Sequence, residues 1–391
     1  MEAILAILNT EEFRYLLLFS VVLIVPKVLL RYRIPVGLTA LALGIITSLG
    51  TGWFQDDQLL LMLSRLGITS LFLFAGMEVD IQDLQKNSSA ISKNLLKAVG
   101  VIFITTFLCG HFLDLGFRPS LILALGLMTP STGFILNSLK ASNFKEQEEY
   151  WIRTKAISKE IVAIFLLFLA LQSQTWEQLL SSTAVILAMS LLLPTIFRFF
   201  LKRIAPYAPD SEVAFLVLIA LVCGVITMKI GAYFLVGAFI VGMTAGRFKH
   251  FMENDNSTNT LQSLASFFTV FIPFYFYKAG LGFSNDLFTQ DGLLMGLLFL
   301  GICIPVRILS VFSTMHFFIK DFWEDRWPIA MNLLPTLIFG LVIASVLKQD
   351  FQVSPYIISG LVIYTVVSSI IPTFYNKKSP TQKLDQSTNQ G

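Results

Sequence analysis

Long apolar stretches of about 16 to 28 residues follow one another along almost the whole chain, and no water-soluble fold could bury all of them. Of 391 residues, 55% are hydrophobic and 14% charged, and the mean hydropathy is +0.73. These values exclude a soluble enzyme or nucleic-acid-binding domain and identify a chain that crosses a membrane many times. Thirteen segments have the length of a helical crossing: roughly 13-31, 35-50, 59-79, 93-113, 119-140, 151-172, 178-200, 212-229, 231-247, 261-281, 291-318, 327-347 and 353-375. The first follows Glu11 and Glu12 and contains Pro26 and Lys27, so it reads as a true span and not as a cleaved signal. Residues 376-391 are polar and are expected to form a disordered cytoplasmic tail.

An odd number of crossings places the termini on opposite sides, and the basic residues say which is which. Of 28 Lys and Arg, only Arg14, Arg118, Lys229 and Lys348 fall at one set of ends. Lys27, Arg65, Lys159, Lys278 and Arg307 fall within spans, and the other nineteen lie at the opposite ends. That bias predicts an outside N-terminus and a cytoplasmic C-terminus in a bacterial inner membrane. Cys109, Cys223 and Cys303 lie in apolar stretches, without disulfide or metal-ligand spacing, and no cofactor is expected.

The sixth span carries the main chemical clue. Its uninterrupted apolar run, Ile161 to Leu171, is only 11 residues long and covers about half of a ~30 Å hydrocarbon core at 1.5 Å per residue. The rest must come from residues 151 to 160, which puts Ser158, Lys159 and Glu160 near the midplane. A charge there costs at least ~2.5 kcal/mol on insertion scales, a penalty that usually marks an ion or substrate site.

Two other spans are interrupted at their centres, by Pro130 within Met128-Thr129-Pro130-Ser131-Thr132 and by Pro335 within Asn332-Leu333-Leu334-Pro335-Thr336. A mid-span proline removes a backbone hydrogen bond and frees oxygens that can face a cation. Spans four to six and eleven to thirteen form two triplets that start on opposite sides of the membrane, each with its broken helix in the middle. This is the pattern of an inverted repeat whose two crossed discontinuous helices hold a binding site.

The segment Leu71-Phe72-Leu73-Phe74-Ala75-Gly76-Met77-Glu78-Val79-Asp80 resembles the third-helix "LFxxGLEL" motif of the bacterial monovalent cation:proton antiporters of the Kef and NapA type. Gly231 to Gly242 resembles that family's "GLSxxLGAFLAG" segment, and Phe271 to Gly280 its "FxPxFFxxxG". The resemblance implies an all-α sodium/proton antiporter fold of thirteen helices and a homodimer. It also implies a six-helix core, about 93-172 and 291-375, that moves against a dimerisation part at about 1-85 and 212-282, with a linker helix at about 178-200. A separate regulatory subunit is a further possible partner, beside the lipid bilayer. In such proteins the sixth helix carries an acid or amide followed by an ion-binding acid, and here those positions hold Lys159 and Glu160. The family's basic residue on the eleventh helix matches Arg307.

The expected activity is alternating-access exchange of Na+ or K+ for protons, electroneutral because a single acid occupies the paired position. Glu160 would bind the monovalent cation and the proton in turn, helped by hydroxyls and freed carbonyls around Thr129, Ser131, Thr132 and Thr336. The alternative for Glu160, Glu78, Lys159, Lys278 and Arg307 is a neutralised network that only fixes packing, with Glu160 facing Arg307 and Glu78 facing Lys159. Two other functions fit the same sequence: transport of an anion or small organic acid by the buried cations, and a non-transporting membrane sensor or subunit.

Overall fold

The computed structural model describes residues 10–79 except 33, 88–139, 146–208 except 174, 211–252, 257–283, 289–318, 323 and 325–375. The tail 376–391 lies outside the described residues. The described chain is helical throughout: α1 Glu11–Leu30, α2 Val36–Gly50, α3 Gln58–Met77, α4 Ser88–Phe112, α5 Phe117–Met128, α6 Thr132–Leu139, α7 Glu146–Gln172 and α8 Trp176–Arg203. After a 3₁₀ turn, Ala205–Tyr207, follow α9 Ser211–Lys229, α10 Phe234–Met252, α11 Ser257–Leu281, α12 Gln290–Phe318, α13 Arg326–Asn332, α14 Leu337–Gln349 and α15 Pro355–Tyr375. Taken with the breaks between α5 and α6 and between α13 and α14, these helices trace the thirteen crossings expected from hydropathy.

Among the described residues, nine helical stretches are long and apolar enough to span a bilayer unaided, and Val36–Gly50 and Phe234–Arg247 are shorter apolar helices. Helix α7 is outside that set because its last eighteen residues contain Lys155, Lys159 and Glu160. Local caps start several helices: the Asp57 carboxylate accepts from the Leu60 N–H at 2.6 Å, and the Thr175 hydroxyl from the Gln178 N–H at 3.2 Å.

The helices pack in two groups. Helix α3 lies along α10 and α11, α2 along α11, and α9 along α10, with α1 on the outside. In hydrocarbon there is no hydrophobic drive to bring helices together, so close packing of small residues takes its place. A Cβ added at Gly44 would lie 3.0 Å from Gly280 Cα, and one at Gly76 would lie 2.9 Å from Gly242 Cα. The α2–α11 and α3–α10 backbones therefore touch only because both partners are glycine.

The second group joins α4 to α5, α12 to α15, and α14 to both α5 and α15. The broken crossings sit at its centre, where Ile122, Leu123, Leu125, Phe339 and Ile343 are fully buried. Helices α4 and α12 are on its outside and present Ile104, Phe107, Ile302 and Leu309 outward, as lipid-facing helices do. Helix α8 runs beside α7, α9 and α10.

Proline alone does not decide where a helix breaks. Pro26, Pro194, Pro273, Pro305 and Pro372 all lie inside continuous helices. Only at Pro130 and Pro335 does the chain leave helical geometry, and there side chains and a facing strand of backbone take up the released groups.

Candidate functional site at the crossing of the broken helices

The two breaks are hydrogen-bonded to each other. The Ser131 N–H donates to the Pro335 carbonyl at 2.8 Å, and the Ser131 hydroxyl accepts from the Ile338 N–H at 3.3 Å. Backbone groups lost to the helical ladder at one break are thus satisfied by the other. On α15, the Ser368 hydroxyl pairs with that of Thr336 at 3.2 Å.

Charge is placed according to the direction of the half-helices. Glu160, 2% exposed, has its Oε2 accepting from the Thr132 N–H at 3.0 Å, at the start of α6. The partial positive charge of a helix N-terminus favours an anion in that position. Arg307, from α12, serves the opposite ends. Its Nη2 donates to the Leu333 carbonyl at 2.5 Å and its Nη1 to the Leu127 carbonyl at 3.4 Å and to the Tyr364 hydroxyl at 3.0 Å. Tyr364 itself donates to the Leu127 carbonyl at 2.7 Å. One guanidinium therefore joins the C-terminal ends of α5 and α13, where carbonyl dipoles gather negative charge.

The sodium/hydrogen exchanger transmembrane family model matches residues 16–377. The chain belongs to the sodium/hydrogen exchanger family. Cation:proton exchange is the activity that goes with this family. The exchanger is similar to a probable Na(+)/H(+) antiporter 3 of Methanocaldococcus jannaschii, 26% identical over 91% of this chain and 93% of the relative. It is also similar to a Na(+)/H(+) antiporter of Enterococcus hirae, 23% identical over 89% and 93%. In fold it resembles the sodium proton antiporter MjNhaP1 of Methanocaldococcus jannaschii, with a TM-score of 0.69 and 14% identity over 94% of this chain and 97% of that one. These matches carry the exchanger family and do not support the narrower Kef and NapA-type assignment.

Within the exchanger, the residues expected at the site separate. Glu160, Thr129, Ser131, Thr132, Thr336 and Arg307 meet at the crossing. The carbonyls expected to await a cation are in part occupied, because Leu127, Leu333 and Pro335 already accept hydrogen bonds from Arg307, Tyr364 and Ser131. Thr336 is committed to Ser368. Two hydroxyls remain, since Thr129 Oγ1 and Thr132 Oγ1 are buried without a hydrogen-bond partner.

The expected charge network does not form as a unit. Glu78, the C-cap of α3, lies 3.5 Å from Arg153 at a half-exposed helix end, and Arg153 also bonds Glu149 at 2.7 Å. Lys278 donates to the Gln55 carbonyl between α2 and α3, away from the crossing. The proposed pairs of Glu160 with Arg307 and Glu78 with Lys159 are not found, because Arg307 is engaged by carbonyls and Glu78 by Arg153.

Lys159 projects to another side of α7. It lines a narrow cleft with a cavity volume of about 20 Å³, together with Arg307, Thr129 and Ser310. Sequence reasoning missed Tyr364, whose hydroxyl has no signature within an apolar span, and misplaced Lys155 and Lys97 at helix ends. Helices α4 and α7 begin about five residues earlier than hydropathy indicated, so both lysines lie nine residues inside. The i, i+4 spacing of Lys155 and Lys159 was the available signal for a basic face.

Proposed function

We propose that Glu160 is the group that carries the cation and the proton in alternation, and that exchange is electroneutral with Na+ or K+ as the transported cation. The observation that supports this most is a buried carboxylate at the crossing of two broken helices, held by the Thr132 amide and, among the described residues, joined by no salt bridge. A carboxylate already neutralised by Arg307 would gain little from a cation. This one keeps its charge for a cation or a proton, and hard oxygen ligands from Thr129 and Thr132 are at hand.

Because one carboxylate holds either one monovalent cation or one proton, each half-cycle moves the same charge. The glycine-packed group of α1–α3 and α9–α11 is suited to stay fixed as a dimerisation part while α4–α7 and α12–α15 move, with α8 as the linker. The basic-rich ends are assigned to the cytoplasm, with the N-terminus outside.

The test is proton flux in liposomes with sodium, potassium and lithium pulses for wild type, Glu160→Gln and Lys159→Gln. Wild type is expected to respond to sodium or potassium and Glu160→Gln to neither. A Glu160→Gln protein that still exchanges would overturn the assignment, and a voltage-dependent steady current from wild type would overturn electroneutrality.

A further inference from the structure

The cleft beside the crossing holds more positive charge than the exchange reaction uses. It is lined by Ala98 and Ile102 from α4, Ser310 and Arg307 from α12, Lys159 from α7 and Thr129 from the break after α5. Two further cations adjoin it. Lys97 donates to the Ser310 carbonyl at 3.4 Å across the α4–α12 gap, and the Lys155 ammonium, one turn along α7 from Lys159, is buried without a hydrogen-bond partner. Among the described residues none of these four side chains has an ion pair. Arg307 contacts neutral oxygens, and Glu160, the acid next to Lys159 in the chain, faces Thr132. Successive residues on a helix point about 100° apart, so Glu160 does not turn toward the cleft that its neighbour Lys159 lines. Unpaired cations at this depth are costly, and a mobile counter-ion is the way to offset them without adding a carboxylate to the chain.

We propose that this cleft binds a monovalent anion, a halide or a carboxylate, between Lys159 and Arg307, beside the cation site at Glu160, with which it shares Thr129. The apolar walls favour a weakly hydrated monovalent ion over sulfate or phosphate, which need more donors than the cleft supplies. Chloride can enter from solution. A fatty-acid carboxylate can enter from the bilayer, since α4 and α12, which line the cleft, also carry the outward-facing Ile104 and Leu309, each 63% exposed.

The inference rests on the basic cleft and not on which ion Glu160 carries, so the two are tested apart. Thermal unfolding of the purified, delipidated full chain is followed at constant sodium, pH and ionic strength while gluconate is replaced by chloride or bromide. Wild type and Glu160→Gln are expected to show a saturable rise in Tm, and Lys159→Gln none. Ser310→Asp tethers a carboxylate at the cleft wall and is expected to abolish the chloride response while all four cations remain. In chloride-free buffer, a rise with oleate but not with oleyl alcohol assigns the anion to the bilayer. The proposal is overturned if wild type responds to neither halide nor oleate, or if Lys159→Gln keeps the full response. Should Lys159→Gln not fold, an undiminished response in Ser310→Asp overturns it equally.

Discussion

Arg307 and Tyr364 offer the sharpest test of how the crossing is held together, because they share one hydrogen bond and both serve the Leu127 carbonyl. Tyr364→Phe removes a neutral bond of 2.7 Å and a charge-assisted one of 3.0 Å, which together are worth about 2–3 kcal/mol when both are buried. Arg307→Met removes the side-chain donor to the Leu333 carbonyl and a second donor to Leu127. It also removes a buried unpaired cation, which offsets part of the loss, so the expected cost is about 3–5 kcal/mol. The Arg307–Tyr364 bond is lost in either single variant. The double variant should therefore be less destabilised than the sum of the singles by about 1–2 kcal/mol. Reversible unfolding in mixed micelles, followed by tryptophan fluorescence, gives the three values. Additivity within ~0.3 kcal/mol would refute a shared network, and a neutral Tyr364→Phe would refute the role given to the hydroxyl. Both single variants should also slow exchange, although neither side chain bonds Glu160, because the ends of α5 and α13 that position α6 are loosened.

Other outcomes follow from the same geometry. If proton and cation compete for Glu160, lowering the pH below its pKa should raise the apparent KM for the cation about tenfold per unit while Vmax at saturating cation holds, as initial rates across pH will show. Gly76→Ala places a Cβ 2.9 Å from Gly242 Cα and 2.8 Å from the Met243 amide nitrogen, in backbone that cannot swing away, and should cost roughly 2–3 kcal/mol in the same micelle assay. Gly100→Ala, with nothing within 4 Å of the added carbon, is the control and should be neutral or slightly stabilising. Glu78→Gln breaks a partly exposed ion pair, so stability should change by less than ~1 kcal/mol and exchange should persist in liposomes.

The thirteen crossings were legible in the sequence because hydropathy is a one-dimensional property and each span carries its own signal. The two breaks were legible because proline sat beside hydroxyl and amide residues in matching spans, although Pro273 and Pro305 show that proline at mid-span is not sufficient. The depth of Glu160 followed from the short apolar run after it. Its partner did not, since which helix face meets which neighbour is set by packing. Arg307 looked like a counter-ion and instead serves three oxygens, and Glu78 looked like part of the site and lies beside Arg153. Lys97 and Lys155 were hidden by a small error in where α4 and α7 begin.

Helix geometry also explains how an ammonium can sit next to the carboxylate proposed to bind the ion. At 4 Å from a bound cation, Lys159 would repel it by ~4 kcal/mol at an effective dielectric constant of 20, and doubling the separation halves that to ~2 kcal/mol. The two side chains leave α7 in different directions, Glu160 toward the start of α6 and Lys159 into the cleft bounded by α4 and α12. Helix α6 in turn packs against α3, where a Cβ on Gly133 would lie 3.4 Å from the Leu71 carbonyl, so the acid faces the boundary between the two helix groups. That boundary is sparsely bonded near the site: the Tyr275 hydroxyl reaches the Ile338 carbonyl at 3.5 Å. With Glu160 facing the boundary between the two helix groups and the basic cleft on the side of α4 and α12, one helix carries both charges. An anion in that cleft would reduce the remaining repulsion further, which ties the strength of cation binding at Glu160 to what Lys159 holds.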